Sequence, residues 1–241
     1  MTEEERIINV RLSDYEQPGL YLTLKDSTRL DFTRENIEKV TTEYWMDSDK
    51  IPANAKKAAE FQRCAFCPLK GRRDLCDALR PTLPLLHVMD KYNSFDEVTA
   101  VYKGDEKGLC HVSYTSMQRA LRYISNLSLM GYCQVGRKYW KYFSGTIPVM
   151  GTEEIANRVY LNIYWIHKGD KERVDQVISK LNSEIIITTQ NQMERLRLIC
   201  KNDALLNAFV LTHMTTDVLY ENKDTKLREL MESFEKNTRP S

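Results

Sequence analysis

Apolar and polar positions alternate in two early stretches, "RIINVRL" (Arg6–Leu12) and "GLYLTLK" (Gly19–Lys25), with the turn-forming "EQPG" at their junction. A period of two places one face of an extended chain against a core, so this pattern predicts a β-hairpin. "TRLDF" (Thr28–Phe32) is a further candidate strand. A second hairpin is predicted in "DEVTAVYKGDEKGLCHVSY" (Asp96–Tyr114), where the glycine-bounded "KGDEKG" separates two runs rich in Val, Tyr and Leu. Between the hairpins, "PANAKKAAEFQ" (Pro52–Gln62) has helix formers behind a proline suited to a first turn, and "PTLPLLHVMDKY" (Pro81–Tyr92) reads as a short helix.

The period changes after the second hairpin. Met117, Ala120, Leu121, Ile124, Leu127 and Met130 recur at helical spacing, and Gly131 is a natural stop. From Thr152 onward the chain reads as helices: Thr152–Gly169, Asp170–Leu181, Glu184–Lys201, Asp203–Tyr220 and Asp224–Lys236. Each opens near Thr, Asp or Ser, and several carry acids in the first turn, where the helix dipole favours them. The predicted fold is α+β, a small antiparallel sheet of two hairpins followed by an α-helical bundle. No long linker or repeat divides it. The reading is one integrated domain over 1–241, with 1–114 mostly β and 115–241 helical.

Composition narrows the classes. A chain of 241 residues, 42% hydrophobic and 29% charged, can bury a core without covalent staples. Thirty-five basic against 34 acidic residues leave a formal charge of +1, so no global field draws the molecule to nucleic acid or an acidic membrane. The acidic start "MTEEERIINV" is unlike a secretory signal, and no run reaches a membrane-spanning length. A cytoplasmic protein is expected. In that reducing compartment the six cysteines are expected as thiols, metal ligands or small core residues rather than disulfides.

Three of the six fall in "RCAFCPLKGRRDLC" (Arg63–Cys76). Cys64 and Cys67 have the two-residue separation that lets two thiolates reach one tetrahedral Zn²⁺, and Cys76 returns as a third ligand nine residues on. Cys133, just past the helix stop in "GYCQVG", is the preferred fourth, ahead of His87. Cys110 and His111 are adjacent on a predicted strand, point to opposite faces and cannot easily share an ion. Lys70, Arg72 and Arg73 would offset the −2 charge of a four-thiolate zinc centre. An iron–sulfur cluster is the alternative cofactor, and thiols packed as small apolar groups are the bland one. A thioredoxin-like pair fits poorly, because the CxxC follows a predicted helix and its proline follows the second cysteine.

Other constellations are weaker. "GRKYWKYF" (Gly136–Phe143) interleaves Arg137, Lys138 and Lys141 with Tyr139, Trp140 and Tyr142, a mixture that suits phosphates and bases but equally an amphipathic surface segment. Glu154 with Arg158, and His213 with Asp217, have one-turn spacing that suits surface pairs. Cys200 reads as a core thiol. There is no HExxH, nucleophile elbow or phosphate-binding glycine loop, so no residue is nominated as catalytic.

Taken in order, "CAFCPL" with Cys76 and "DAL", "SMQRALRYISNLSLMGYC", "TEEIANRVYLNIY" and "DALLNAFVL" resemble an uncharacterised bacterial family known as a domain of unknown function, over most of the chain beyond Cys64. The resemblance implies a glycine–cysteine element at Cys133, which supports it as the fourth ligand. It also implies a histidine where Thr146 stands, in "TIPV", so any chemistry that histidine serves is missing or moved here. Asp203 with Asn207 matches recurrent positions that suit capping. What it implies overall is a bacterial cytoplasmic protein of unknown activity.

The expected function is therefore a non-catalytic, zinc-stabilised binding or regulatory module with an unidentified protein or small-molecule partner. A closed set of four protein ligands leaves no open position for substrate, which argues against an enzyme. The alternatives are a metalloenzyme or iron–sulfur redox protein, and a nucleic-acid-binding protein that the near-zero net charge disfavours.

Overall fold

The computed structural model describes residues 10–46, 52–72, 75–86, 91–105, 109–147, 149–201 and 203–238. Strands β1 (Gly19–Thr23) and β2 (Arg29–Thr33) form the first hairpin, with Leu20 opposite Phe32 and Leu22 opposite Leu30. The turn between them is closed by Leu24 and Thr28, whose backbones bond at 2.9 Å, and by the Asp26 carboxylate, which accepts the Thr28 amide at 3.0 Å. That local bond offers the backbone a ready turn, as short polar side chains do. In place of the expected pairing with "RIINVRL", β1 pairs with "RLDFT"; Leu12 belongs to a short 3₁₀ turn, and residues 6–9 are outside the described residues. The alternation of Leu30 and Phe32 matches that of Leu20 and Leu22, so all four bury on one face.

The second hairpin forms as expected. Strand β3 (Glu97–Lys103) runs antiparallel to both β1 and β4 (Cys110–Ser116), giving the order β2-β1-β3-β4.

Helix α1 (Arg34–Met46) follows β2 and α2 (Ala53–Glu60) follows Pro52. A 3₁₀ segment covers Asp77–Leu85, where Pro81 and Pro84 remove the amides that a regular α-helix needs. The first half thus carries more helix than its alternation predicts. Helix α3 (Met117–Asn126) does not stop at Gly131 but widens into a π turn over Leu127–Tyr132, followed by a 3₁₀ segment at Gly136–Phe143.

Helix α4 (Thr152–Ile166) leads into α5 (Lys171–Arg197), which joins two expected helices into one of 27 residues. Asn182 and Ser183 at the junction do not break it, because Leu181 and Ile185 continue one buried face across them. The bundle ends with α6 (Ala204–Glu221) and α7 (Lys226–Thr238).

Helix α6 packs on α3, α4 and α5, and one apolar core runs from Leu20 and Phe32 of the sheet to Ile185, Phe209 and Leu219 of the bundle. Polar bonds lock that core. Ser125 Oγ donates to the Ala208 carbonyl at 3.0 Å, and Asp203 accepts the Ser94 amide at 3.1 Å while Asn207 Nδ2 donates to it at 3.0 Å. The Asp203–Asn207 pair therefore ties the start of α6 to the loop before β3. No helix among the described residues is long and apolar enough to cross a membrane.

Candidate metal centre

Three chain segments bring Cys64, Cys67, Cys76 and Cys133 together. After Glu60 the chain leaves α2 in an extended conformation at Phe61, and the Cys67 amide then donates to the Cys64 carbonyl at 3.0 Å. The Lys70 amide repeats the move onto Cys67 at 3.0 Å, and Gly71 sits at φ +91°, a left-handed value that favours glycine. Cys76 stands at the head of the Asp77–Leu85 segment, and Arg63 Nη2 bonds the neighbouring Leu75 carbonyl at 3.1 Å.

Cys133 closes the π turn, with its amide on the Ser128 carbonyl at 2.9 Å. Ser128 in turn donates its hydroxyl to the Ala78 carbonyl, and Gln134 Nε2 reaches Asp77 Oδ2 at 2.7 Å. These two bonds fasten the Cys133 segment to the Cys76 segment. Around Cys133 the chain also folds back on its own π turn, so closely that a Cβ on Gly136 would lie 1.8 Å from the Leu129 carbonyl oxygen, and only glycine fits.

The four cysteines are between 5% and 9% exposed and share one buried cluster with Ala78 and Val135, against which Leu69 and Ile187 pack. Burial, together with the charges that Cys133, Cys67 and Cys76 would carry as thiolates, pushes the Cys64 thiol from 9.0 to about 12. Burial likewise raises Cys133, opposed by hydrogen bonds from the Gly136 and Val135 amides. Those amides are the kind of donor that stabilises a thiolate.

Helix α5 forms the remaining wall. Gln192 Nε2 lies 3.5 Å from the Cys76 sulfur. One turn on, Arg195 is fully buried; its Nη2 reaches the Phe61 and Gln62 carbonyls at 3.2 and 3.1 Å, and its guanidinium carbon lies 5.7 Å from the Phe61 ring centroid. Its Nε and Nη1 have no hydrogen-bond partner among the described residues. Arg195 is also the cation whose field opposes the rise of the Cys64 thiol.

The sequence assigned charge compensation to Lys70, Arg72 and Arg73. Lys70 and Arg72 are exposed, Arg73 lies outside the described residues, and the buried cations beside the thiols are Arg63, next to Cys64, and Arg195, whose field acts on Cys64. The signal for Arg195 was present as polar Thr188, Gln192 and Arg195 continuing the buried stripe of α5.

The other cysteines stand apart. Cys110 packs near Tyr15, Tyr21 and Val101, Cys200 belongs to the main core, and His111 lies opposite Tyr102 on β4. His87 lies outside the described residues. Gathering is not yet coordination: among the described residues, no group of three or more His, Cys, Asp or Glu side chains is arranged to hold a metal ion as it stands. The four cysteines share one buried cluster.

The basic-aromatic segment proves amphipathic. Tyr139 and Tyr142 are buried, bonded to Glu184 at 2.9 Å and to His167 Nε2 at 2.9 Å, while Arg137, Lys138 and Lys141 face outward. Lys138 pairs with Glu184 at 2.5 Å. Glu154 caps α4 through the Gly151 amide, Thr146 donates to the Phe143 carbonyl at 2.7 Å, and His213 pairs with Asp217 at 3.2 Å on the surface of α6. Of these residues Arg137 touches the thiol cluster, its amide donating to the Cys133 carbonyl at 2.9 Å.

No protein-family model, curated protein or solved structure matches the chain.

Replacing Gly136 with alanine drives a methyl group into the Leu129 backbone, which no side-chain rotation relieves. The expected cost is about 3 kcal/mol, since overpacking against fixed atoms displaces backbone. Chemical denaturation of Gly136→Ala should show it; unchanged stability would mean that this approach is not held in solution.

Proposed function

We propose that the protein is a non-catalytic, metal-stabilised binding or regulatory module of the bacterial cytoplasm, in which Cys64, Cys67, Cys76 and Cys133 bind one zinc ion as thiolates. The observation that carries this reading is Arg195. A guanidinium without access to water, bonded only to two carbonyls among the described residues, needs a buried anion, because an uncompensated buried charge costs several kcal/mol. Four protonated thiols give it none. Four thiolates around Zn²⁺ carry a formal −2, and the Val135 and Gly136 amides add donors that hold sulfur in its charged form.

The donor set fits the ion. Four soft sulfurs suit tetrahedral zinc, and the ion would cross-link the Cys64–Cys76 stretch to Cys133, which is distant from it in sequence. Burial of all four sulfurs and a complete protein ligand set support a structural role rather than catalysis. The described cysteines are all free thiols, as a reducing compartment would keep them. Against nucleic-acid binding, Tyr139 and Tyr142 are turned into the protein, where they cannot stack on bases.

Metal analysis of protein purified without oxygen should return one zinc per chain, and Cys76→Ser should lose the metal and unfold at a markedly lower temperature. No stoichiometric metal together with an unchanged Cys76→Ser transition would end this reading, and a brown, iron-containing sample would replace zinc by a cluster.

Arg195 gives an independent check. Arg195→Met keeps the bulk and removes the charge, so it should destabilise the metal-loaded protein by about 3 kcal/mol, as loss of one partner of a buried pair does. If the thiols are neutral, the same change relieves an unpaired charge and stability holds or rises.

A further inference from the structure

Beside the thiol cluster, and separate from it, the end of the sheet and the π turn enclose a cavity of about 730 Å³. That is the size of small-molecule sites in general. We propose that this cavity binds a small planar aromatic anion, its ring held among Tyr102, Tyr123 and Trp140 and its charge by Arg34 and Arg137. The proposal does not rest on the metal reading, since every residue it uses is placed by the fold itself.

Three observations carry it. The first is charge left over. Among the cavity's basic residues, Arg80 is taken by Glu38 at 3.1 Å and Asp77 at 3.2 Å, and Lys103 Nζ by the Tyr15 and Glu16 carbonyls at 2.7 and 2.6 Å. Arg34 and Arg137 line the same cavity, and neither guanidinium has a partner among the described residues. The one lining carboxylate not engaged with Arg80 is Asp105, whose field falls on Tyr102 and Tyr123. The guanidiniums belong instead to other walls, on α1 and on the segment after Cys133. Arg34 acts on Tyr132. Unpaired guanidiniums in a concave site recognise carboxylate, sulfonate or phosphate oxygens by paired N–H donors.

The second observation is aromatic surface held open. The Tyr102 and Tyr123 rings stand 5.6 Å apart at 59°, and the Tyr123 hydroxyl has no hydrogen-bond partner among the described residues. Trp140 lines the cavity yet remains 47% exposed, although its neighbours Tyr139 and Tyr142 turn inward. An exposed indole on a cavity wall offers a planar ligand both stacking and apolar burial.

The third is the backbone that shapes the floor. The π turn contributes Leu127, Met130, Gly131 and Tyr132 to the lining, and its one extra residue per turn is the kind of irregularity that recurs at ligand sites. Gly131 lies beneath the indole, where a Cβ would come 3.9 Å from Trp140 Cζ3, an ordinary contact distance.

The test uses the full chain as purified, by titration calorimetry with AMP and, as an aromatic anion unrelated to nucleotides, 8-anilinonaphthalene-1-sulfonate. Adenosine and inorganic phosphate separate ring from charge. At least one aromatic anion should bind, with Arg137→Gln and Trp140→Ala each weakening it about tenfold, the scale of a charge-assisted bond or a stacked ring. Adenosine and phosphate should each bind at least about tenfold more weakly than AMP if AMP is the anion that binds. Both substitutions are at exposed positions, and circular dichroism should show the fold retained. The proposal is overturned if neither anion binds, if binding ignores both substitutions, or if phosphate alone binds as well as AMP.

Discussion

A guanidinium buried beside the chain that leads into Cys64 is the constraint around which the thiol cluster is arranged. Arg195 ends a buried stripe of α5 that turns polar at Thr188 and Gln192, and its two carbonyl contacts belong to the residues leading into Cys64. Removing a charge from water is costly enough that the surroundings must answer it. The thiols are the groups able to do so, and doing so requires them to be ionised. Burial alone resists that, as the upward displacement of Cys64 and Cys133 records. A cation shared by the four sulfurs, as proposed, would reconcile the two demands, since it would make thiolates favourable and leave a net negative centre for Arg195 to face.

The same centre bears on the neighbouring cavity. Asp77 follows Cys76, and Gln134 and Arg137 follow Cys133, so two walls of the cavity begin at cysteines of the cluster. The Gln134–Asp77 bond joins those walls directly. Fixing the sulfurs fixes the walls. A structural ion bound as proposed would therefore be linked through a short run of backbone to the cavity walls.

The sequence made some of this legible and concealed the rest for identifiable reasons. The CxxC with Cys76 was readable from ligand spacing, and Cys133 from its place at a helix end; the fold gathers all four. The β3–β4 hairpin was clear because Val98, Ala100 and the glycine-bounded turn leave one solution. Its partner was harder: "RIINVRL" and "TRLDF" both alternate, and only the Asp26 turn favours pairing with the second. Helix α1 went unread although Ile37, Val40, Thr41 and Tyr44 have helical spacing, because β-branched and aromatic residues dilute the signal. The 27-residue α5 was split in two at Asn182 and Ser183, polar residues that tertiary burial overrides. Arg195 was missed for a deeper reason. On a helix read alone, an arginine is a solvated charge, and only the three-dimensional proximity of Cys64 gives it a role.

Zinc-edge X-ray absorption on the anaerobically purified protein addresses the central claim most directly. The account predicts a single shell of four sulfur atoms at about 2.3 Å. A shell containing nitrogen or oxygen in place of any of the four sulfurs, or a sample with no zinc to absorb, would contradict it.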